Sequence, residues 1–255
     1  MNVLPTSFRK TALAVLIIGL VLRLCTLGAF LAYDQGFIND DDSAGYLTLA
    51  QNMELGFGFA WDVGLPFTPD SFRTPGYPTF LLAHHVIFDS YGVAIITQIL
   101  LSLIIALLIM RIGERYFTTK AGIIAAFLFL VMPFSLLVTL RFITQVTFTI
   151  TIIGALYSWL RYLESNAERY LLIAAVLLPI AALIRPIAMW IVAPLIASMI
   201  LGVMWRKFEL RRALYASVIL IAIFVVGIAP WLYRNYVVFG TASLSSLPAF
   251  QLYFY

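Results

Sequence analysis

The chain's 255 residues are 63% hydrophobic and only 11% charged, against roughly 45–50% and 25% in soluble domains. A soluble fold of this length has no core large enough to hide that excess, whose mean hydropathy is +1.00, so the apolar surface must face lipid. The net charge of +4 lies on residues scattered between apolar runs, a pattern that fits membrane topology and argues against a nucleic-acid partner.

The first apolar run, residues 11–33, follows Arg9 and Lys10. It is too long for a signal peptide and no small-residue cleavage site follows, so a retained signal-anchor helix is expected. Cys25, the one cysteine, lies inside this run, which leaves no intramolecular disulfide and no cysteine metal site. Residues 34–90 then form the one sizeable stretch outside the apolar runs, an external loop rich in aromatic residues. Within it Tyr46, Leu49, Ala50 and Met53 recur at helical spacing, which predicts a short helix over 42–54 that Gly56 and Gly58 stop. A second short helix is expected from Pro78 onward, apolar enough to lie on the membrane surface.

Further spans are expected at 91–110, 121–140, 146–163, 171–184, 187–205 and 213–231. A single helix over 171–205 would run to roughly 52 Å, well past a ~30 Å hydrocarbon core. Arg185-Pro186 near its middle therefore marks a turn between two helices. The expected architecture is an all-α integral membrane protein: a polytopic bundle of about seven transmembrane helices in a single domain, 1–255, whose external loop bears short interfacial helices. With the N-terminus cytoplasmic, eleven of the 16 Lys and Arg fall inside: Arg9, Lys10, Arg111, Arg115, Lys120, Arg161, Arg169, Arg206, Lys207, Arg211 and Arg212. Eight acidic residues, Asp34 through Asp89, fall outside, as positive-inside topology requires.

Three features could carry chemistry. Asn39-Asp40-Asp41-Asp42 stands at the mouth of the bundle, and three adjacent carboxylates repel one another. They suit a general base for an incoming hydroxyl or a ligand set for a divalent cation, and equally a helix cap formed by Asp42 or Ser43. Arg73-Thr74-Pro75-Gly76-Tyr77-Pro78 is a rigid turn whose arginine could grip a phosphate or simply shape the loop. Arg185-Pro186 and Trp231 to Tyr236, with Arg234 among them, stand at the outer interface, where arginines bind anionic head groups and aromatics anchor helices. His84 and His85 are adjacent, so on a helix they point apart and make a poor metal pair.

Four pieces in this order resemble the GT-C superfamily of membrane glycosyltransferases, above all the bacterial enzymes related to protein O-mannosyltransferases and to the lipid A aminoarabinose transferase. They are Asp42-Ser-Ala-Gly-Tyr46-Leu-Thr-Leu-Ala50 with Gly56-Phe-Gly58-Phe; Arg73-Thr-Pro-Gly-Tyr-Pro78; Leu183-Ile-Arg185-Pro186; and Pro230-Trp231 with Arg234-Asn235-Tyr236 and Phe239-Gly240. The resemblance implies an inverting transfer of a sugar from a polyprenyl-phosphate donor to a lipid, glycan or protein acceptor on the outer, periplasmic face. It makes Asp42 the catalytic acid–base residue, with Asp41 and Asp40 as alternates. Arg73, Arg185 and Arg234 become candidates for the donor phosphate, with Tyr46, Tyr77 and Gln145 as further substrate contacts. Relatives often have a carboxylate in a Thr-Glu context where this chain has Thr144-Gln145, so a divalent cation is a candidate cofactor that has lost one ligand charge. Relatives also continue past the position of Tyr255, so a C-terminally truncated form is expected. The competing functions are a non-catalytic lipid-sugar-binding relative and a membrane transporter, for which Arg23 is the one charge at depth.

Overall fold

The computed structural model describes residues 6–33, 41–62 and 67–247; Asn39, Asp40 and the chain past 247 lie outside them, as does the side chain of Asp41. Ten α-helices are present among the described residues: α1 (Thr6–Ala32), α2 (Asp41–Glu54), α3 (Gly76–Phe88), α4 (Val93–Tyr116), α5 (Thr119–Val131), α6 (Pro133–Thr139), α7 (Gln145–Ser165), α8 (Glu168–Ile184), α9 (Val192–Met204) and α10 (Leu210–Phe239). A 3-10 turn over Pro186–Ile191 leads into α9. Among the described residues five helical stretches are long and apolar enough to cross a membrane, and a sixth forms if α5 and α6 are one bent span. The chain is thus an all-α multi-pass membrane protein. Of the seven expected spans, the one at α8 runs 17 residues, about 26 Å, and stays just under that length.

The expected straight helix over 121–140 is broken. Pro133 has no N–H to continue the ladder and its ring clashes with the preceding turn, so α5 and α6 meet at 60°. The Arg185-Pro186 break is where the sequence places it: α8 ends at Ile184 and Arg185 is extended (φ −141, ψ 121).

Lipid gives helices no hydrophobic reason to associate, so close packing of small residues must do that work. Ala155, Ala174, Ala175, Ala181, Ala182, Ala213 and Ala216 fill the α7–α8–α10 core. Between α4 and α5, Gly113 sits so close to Gly122 that an added Cβ would stand 2.2 Å from its Cα. Large apolar side chains such as Ile17, Val21, Leu100, Ile124 and Val226 are exposed, the surface a bilayer covers.

The region expected as an external loop is built from α2, α3 and a small irregular hairpin. Leu49 and Ala50 of α2 are fully buried, along with Tyr77 and Leu81 of α3. Asn52 donates to the Ala60 and Asp62 carbonyls at 2.7 and 2.8 Å, which hangs the hairpin on α2. Val86, Ile87 and Phe88 are exposed, in keeping with an interfacial α3. The two histidines diverge as expected: His84 bonds Thr97 of α4 at 2.8 Å, whereas His85 bonds Glu54 of α2 at 3.0 Å.

Candidate functional site

The four sequence pieces, up to about 190 residues apart in the chain, converge at one end of the bundle. Thr74 Oγ1 donates to the Ile184 carbonyl at 2.9 Å. Gly76 lies so tightly on α8 that a Cβ would stand 2.6 Å from the Leu183 carbonyl oxygen. The Arg73–Pro78 turn is therefore docked on the last turn of α8, directly before Arg185. Arg234, from α10, donates to the backbone carbonyls of Asp70 at 2.8 Å and Phe59 at 3.0 Å. Just past α10, Ser245 Oγ donates to the Phe72 carbonyl at 2.6 Å. Loop, α8 and α10 thus form one frame around Arg73.

Arg73 is the centre of that frame. Its guanidinium stacks over Trp61 at 4.2 Å and Tyr46 at 5.1 Å and donates to Asp42 Oδ1 at 2.9 Å. The arginine side chain is 15% exposed, whereas that of Asp42 is 73% exposed. The pair thus presents an open carboxylate on a nearly enclosed cation. Gly45 makes this possible, because a Cβ there would stand 2.4 Å from the Trp61 ring and 2.9 Å from Arg73 Cζ. Gly45→Ala in a helix ordinarily stabilises by up to about 1 kcal/mol. Here it is expected to destabilise by about 1–3 kcal/mol through overpacking, read as a lowered Tm in nanodiscs; an unchanged or raised Tm would show that Trp61 and Arg73 do not need the gap.

On the facing side Arg185 Nε donates to Thr144 Oγ1 at 2.6 Å and the guanidinium lies over the Phe148 ring at 5.6 Å. The Tyr46 hydroxyl lies within the influence of Thr144 and of the charges of Arg73, Asp42 and Arg185. Burial is the largest influence on Tyr46 and pushes its pKa above the usual phenol value. Tyr46 is thus a neutral hydroxyl at physiological pH and no competitor to Asp42 as a base. Gln145, the first residue of α7, carries a buried Oε1 without a hydrogen-bond partner.

The candidate residues separate into two groups. Asp42, Tyr46, Arg73, Arg185 and Gln145 come together around the Asp42–Arg73 pair and the start of α7. Tyr77 and Arg234 support them from behind. Tyr77 is fully buried and its hydroxyl donates to Gln98 Oε1 at 2.9 Å, while Arg234 holds loop carbonyls and stacks on Trp231 at 4.9 Å and Phe59 at 5.5 Å. Asp40 lies outside the described residues, and Asp41 is placed only as the first residue of α2. Among the described residues no three His, Cys, Asp or Glu side chains are grouped as metal ligands would be. Trp61 and Gln98 are not among the site residues the sequence suggests, and Thr144 enters there only as the neighbour of Gln145. Gln98 does carry a signal, being a lone amide inside an apolar run.

Residues 73–233, more than half of the chain, match the family described as dolichyl-phosphate-mannose-protein mannosyltransferase. No curated protein and no solved structure matches the chain. The match takes in the docked turn from Arg73, the bent α5–α6 pair, the Thr144–Arg185 contact and most of α10, while Asp42 and α2 precede it. With its multi-pass helical bundle, the chain belongs to the dolichyl-phosphate-mannose-protein mannosyltransferase family of membrane glycosyltransferases, within the GT-C superfamily.

Proposed function

We propose that this chain moves a sugar from a polyprenyl-phosphate-linked donor to an acceptor hydroxyl, with inversion at the anomeric carbon, at the outer (periplasmic) face of a bacterial inner membrane. The observation that carries the reading is the Asp42–Arg73 pair, 2.9 Å apart, beside the Thr144–Arg185 contact at one end of the bundle. A base next to two cations is what this substitution needs. The acceptor oxygen attacks the anomeric carbon while the bond from that carbon to the phosphate oxygen breaks. The bonding electrons leave on the phosphate, whose charge Arg73 and Arg185 stabilise, and the acceptor proton passes to the Asp42 carboxylate. A single displacement inverts the centre. Neutral Tyr46 is a hydroxyl donor to the same phosphate, and Gln145 Oε1 is an acceptor for a sugar hydroxyl. The outer-face assignment follows the positive-inside distribution, which puts Arg111, Arg115, Arg161 and Arg212 at the opposite end from Arg73.

In this reading Arg73 exchanges Asp42 for the donor phosphate, which frees the carboxylate for the acceptor. Asp42, with Asp41 and Asp40 as alternates, is the carboxylate a divalent cation would use, and Gln145 offers only an amide oxygen. The acceptor is a lipid, a glycan or a protein.

Native mass spectrometry of the chain in nanodiscs loaded with a polyprenyl-phosphate sugar tests the donor site. The wild type should carry one lipid-sugar adduct, and Arg185→Ala should weaken it by about tenfold or more, the loss expected of a charged hydrogen bond to phosphate. Absence of an adduct on the wild type would remove the donor from the proposal. An unchanged adduct on Arg185→Ala would remove Arg185 from the donor site.

A further inference from the structure

Arg23 is the most fully buried charged side chain among the described residues. It stands within the 23-residue apolar stretch of α1, is fully buried, and has no carboxylate among its described contacts. Such a residue is expensive in a membrane and is a functional candidate by default. A buried cation beside a broken helix is also what a transporter would show, but here the side chain is fully buried and protein acceptors meet both Nη atoms, while Nε has none. Nη1 donates to the Leu130 carbonyl at 3.0 Å and the Gly19 carbonyl at 3.2 Å, and Nη2 donates to Ser135 Oγ at 3.1 Å. Leu130 is in the last turn of α5, where the Pro133 break leaves carbonyls without helical partners. The cation thus caps a helix C-terminus inside the bilayer, where the backbone dipole is negative.

The contacts continue beyond the break. Thr139 Oγ1 donates to the Ser135 carbonyl at 2.6 Å. Gln98 Nε2 donates to the carbonyls of both Thr139 and Arg141 at 3.0 Å, and its Oε1 accepts the Tyr77 hydroxyl at 2.9 Å. The Tyr77 ring then meets the Tyr46 ring edge-on at 5.1 Å. Arg23, Gln98 and Tyr77 are fully buried, and Thr139 is 1% exposed. A buried polar line therefore runs from α1 through the α5–α6 break to the turn that presents Thr144 to Arg185, and through Tyr77 to the ring under Arg73.

We propose that Arg23 and Gln98 are positioning residues: through the α5–α6 break they fix the 140–144 turn and Tyr46, and thereby the geometry of Arg185 and Arg73. The proposal deepens the catalytic reading and rests on it for its kinetic consequence only. The structural consequence stands by itself, because low-dielectric surroundings make each link of such a line costly to break.

Hydrogen exchange by mass spectrometry, on the full chain in nanodiscs, separates the two. Arg23→Leu is the direct variant, and Ser135→Ala and Tyr77→Phe each cut one link with little change of volume. Ser135→Ala is expected to raise exchange in residues 139–144 and in α2 as well as around the break, and Arg23→Lys to restore much of the protection lost in Arg23→Leu. Exchange changes confined to α1, α5 and α6 would overturn the line, whether or not the chain transfers sugar. Where transfer is measured, Ser135→Ala and Tyr77→Phe should lower kcat by about 10- to 100-fold, the scale of a small misplacement at a reacting centre. Their donor KM should change far less, and the Ser135→Ala/Tyr77→Phe double variant should be no slower than the worse single one. Additive losses, or losses in KM alone, would reduce these residues to general stabilisers. A chain with no transfer in any form but with remote exchange effects would sink the catalytic reading and leave the line intact.

Discussion

Asp42→Asn is expected to lower the rate of sugar transfer by about 10²–10⁴-fold, the usual contribution of a general base, in a protein that still folds and still binds the proposed donor. The fold survives because the lost partner is an exposed ion pair, a contact worth about 0.2–1 kcal/mol. Asparagine keeps the size of the side chain and can still accept a hydrogen bond from Arg73, so the Trp61–Arg73–Tyr46 stack stays in place. The removed properties are the proton affinity and the negative charge, not the size of the side chain or its capacity to accept from Arg73. Initial rates with the purified chain in nanodiscs, beside the donor adduct measured by native mass spectrometry, give both halves of the result. Asp41→Asn is the control, since Asp41 is the neighbouring residue at the start of α2. If Asp41→Asn abolishes transfer and Asp42→Asn does not, the base is Asp41. If both proteins bind donor and turn over like the wild type, the acidic run is a helix cap and the chemistry lies elsewhere.

How much of this was readable in the sequence depends on whether a feature is local. The α2 helix was, because Tyr46, Leu49, Ala50 and Met53 repeat at helical spacing and two glycines end it; Gly56 and Gly58 adopt φ of 80 and 79, the region that favours glycine. The end of α8 was readable in Arg185-Pro186, since proline acts on the residue before it. Pro133 carries the same signal, but it lies inside an uncharged apolar run over 121–140, and hydropathy cannot see a bend. Tertiary roles left no mark. Arg234 looked like a phosphate ligand, but it grips two backbone carbonyls of the loop, and any sequence presents carbonyls. Tyr77 looked like a substrate contact because its motif did, yet the neighbouring Gly76 and Thr74 pin that turn to α8 and force the tyrosine ring inward. Asp42 and Arg73, whose charges make burial without a partner costly, meet each other in an ion pair at 2.9 Å.

Arg73→Ala is expected to reduce kcat/KM for the donor by about 100-fold, or about 2.7 kcal/mol of transition-state stabilisation, and Arg73→Lys to recover only part of it. The argument turns on what holds the guanidinium. The guanidinium lies over both the Trp61 and Tyr46 rings, contacts that a planar delocalised cation makes better than an ammonium. Held this way, with its side chain 15% exposed, the group loses little entropy when a phosphate arrives and can meet it with two parallel N–H donors. Lysine restores the charge but not the fork or the stacking, so its donor KM should stay raised even where kcat recovers. The present occupant of that fork is Asp42, and its 73% exposure makes the pair weak enough for the donor's monoanionic phosphodiester to displace. This exchange predicts a sign that a fixed salt bridge does not. In Arg73→Ala the carboxylate is already free, so adding Asp42→Asn should still cost its full factor in rate, whereas the donor affinity of the double variant should equal that of Arg73→Ala. Donor affinity that rises when Asp42→Asn is made in the wild-type background, and does not rise in Arg73→Ala, would establish that carboxylate and phosphate compete for one arginine. Equal donor affinity in all four proteins would place the phosphate away from Arg73 and leave Arg185 to carry the leaving charge.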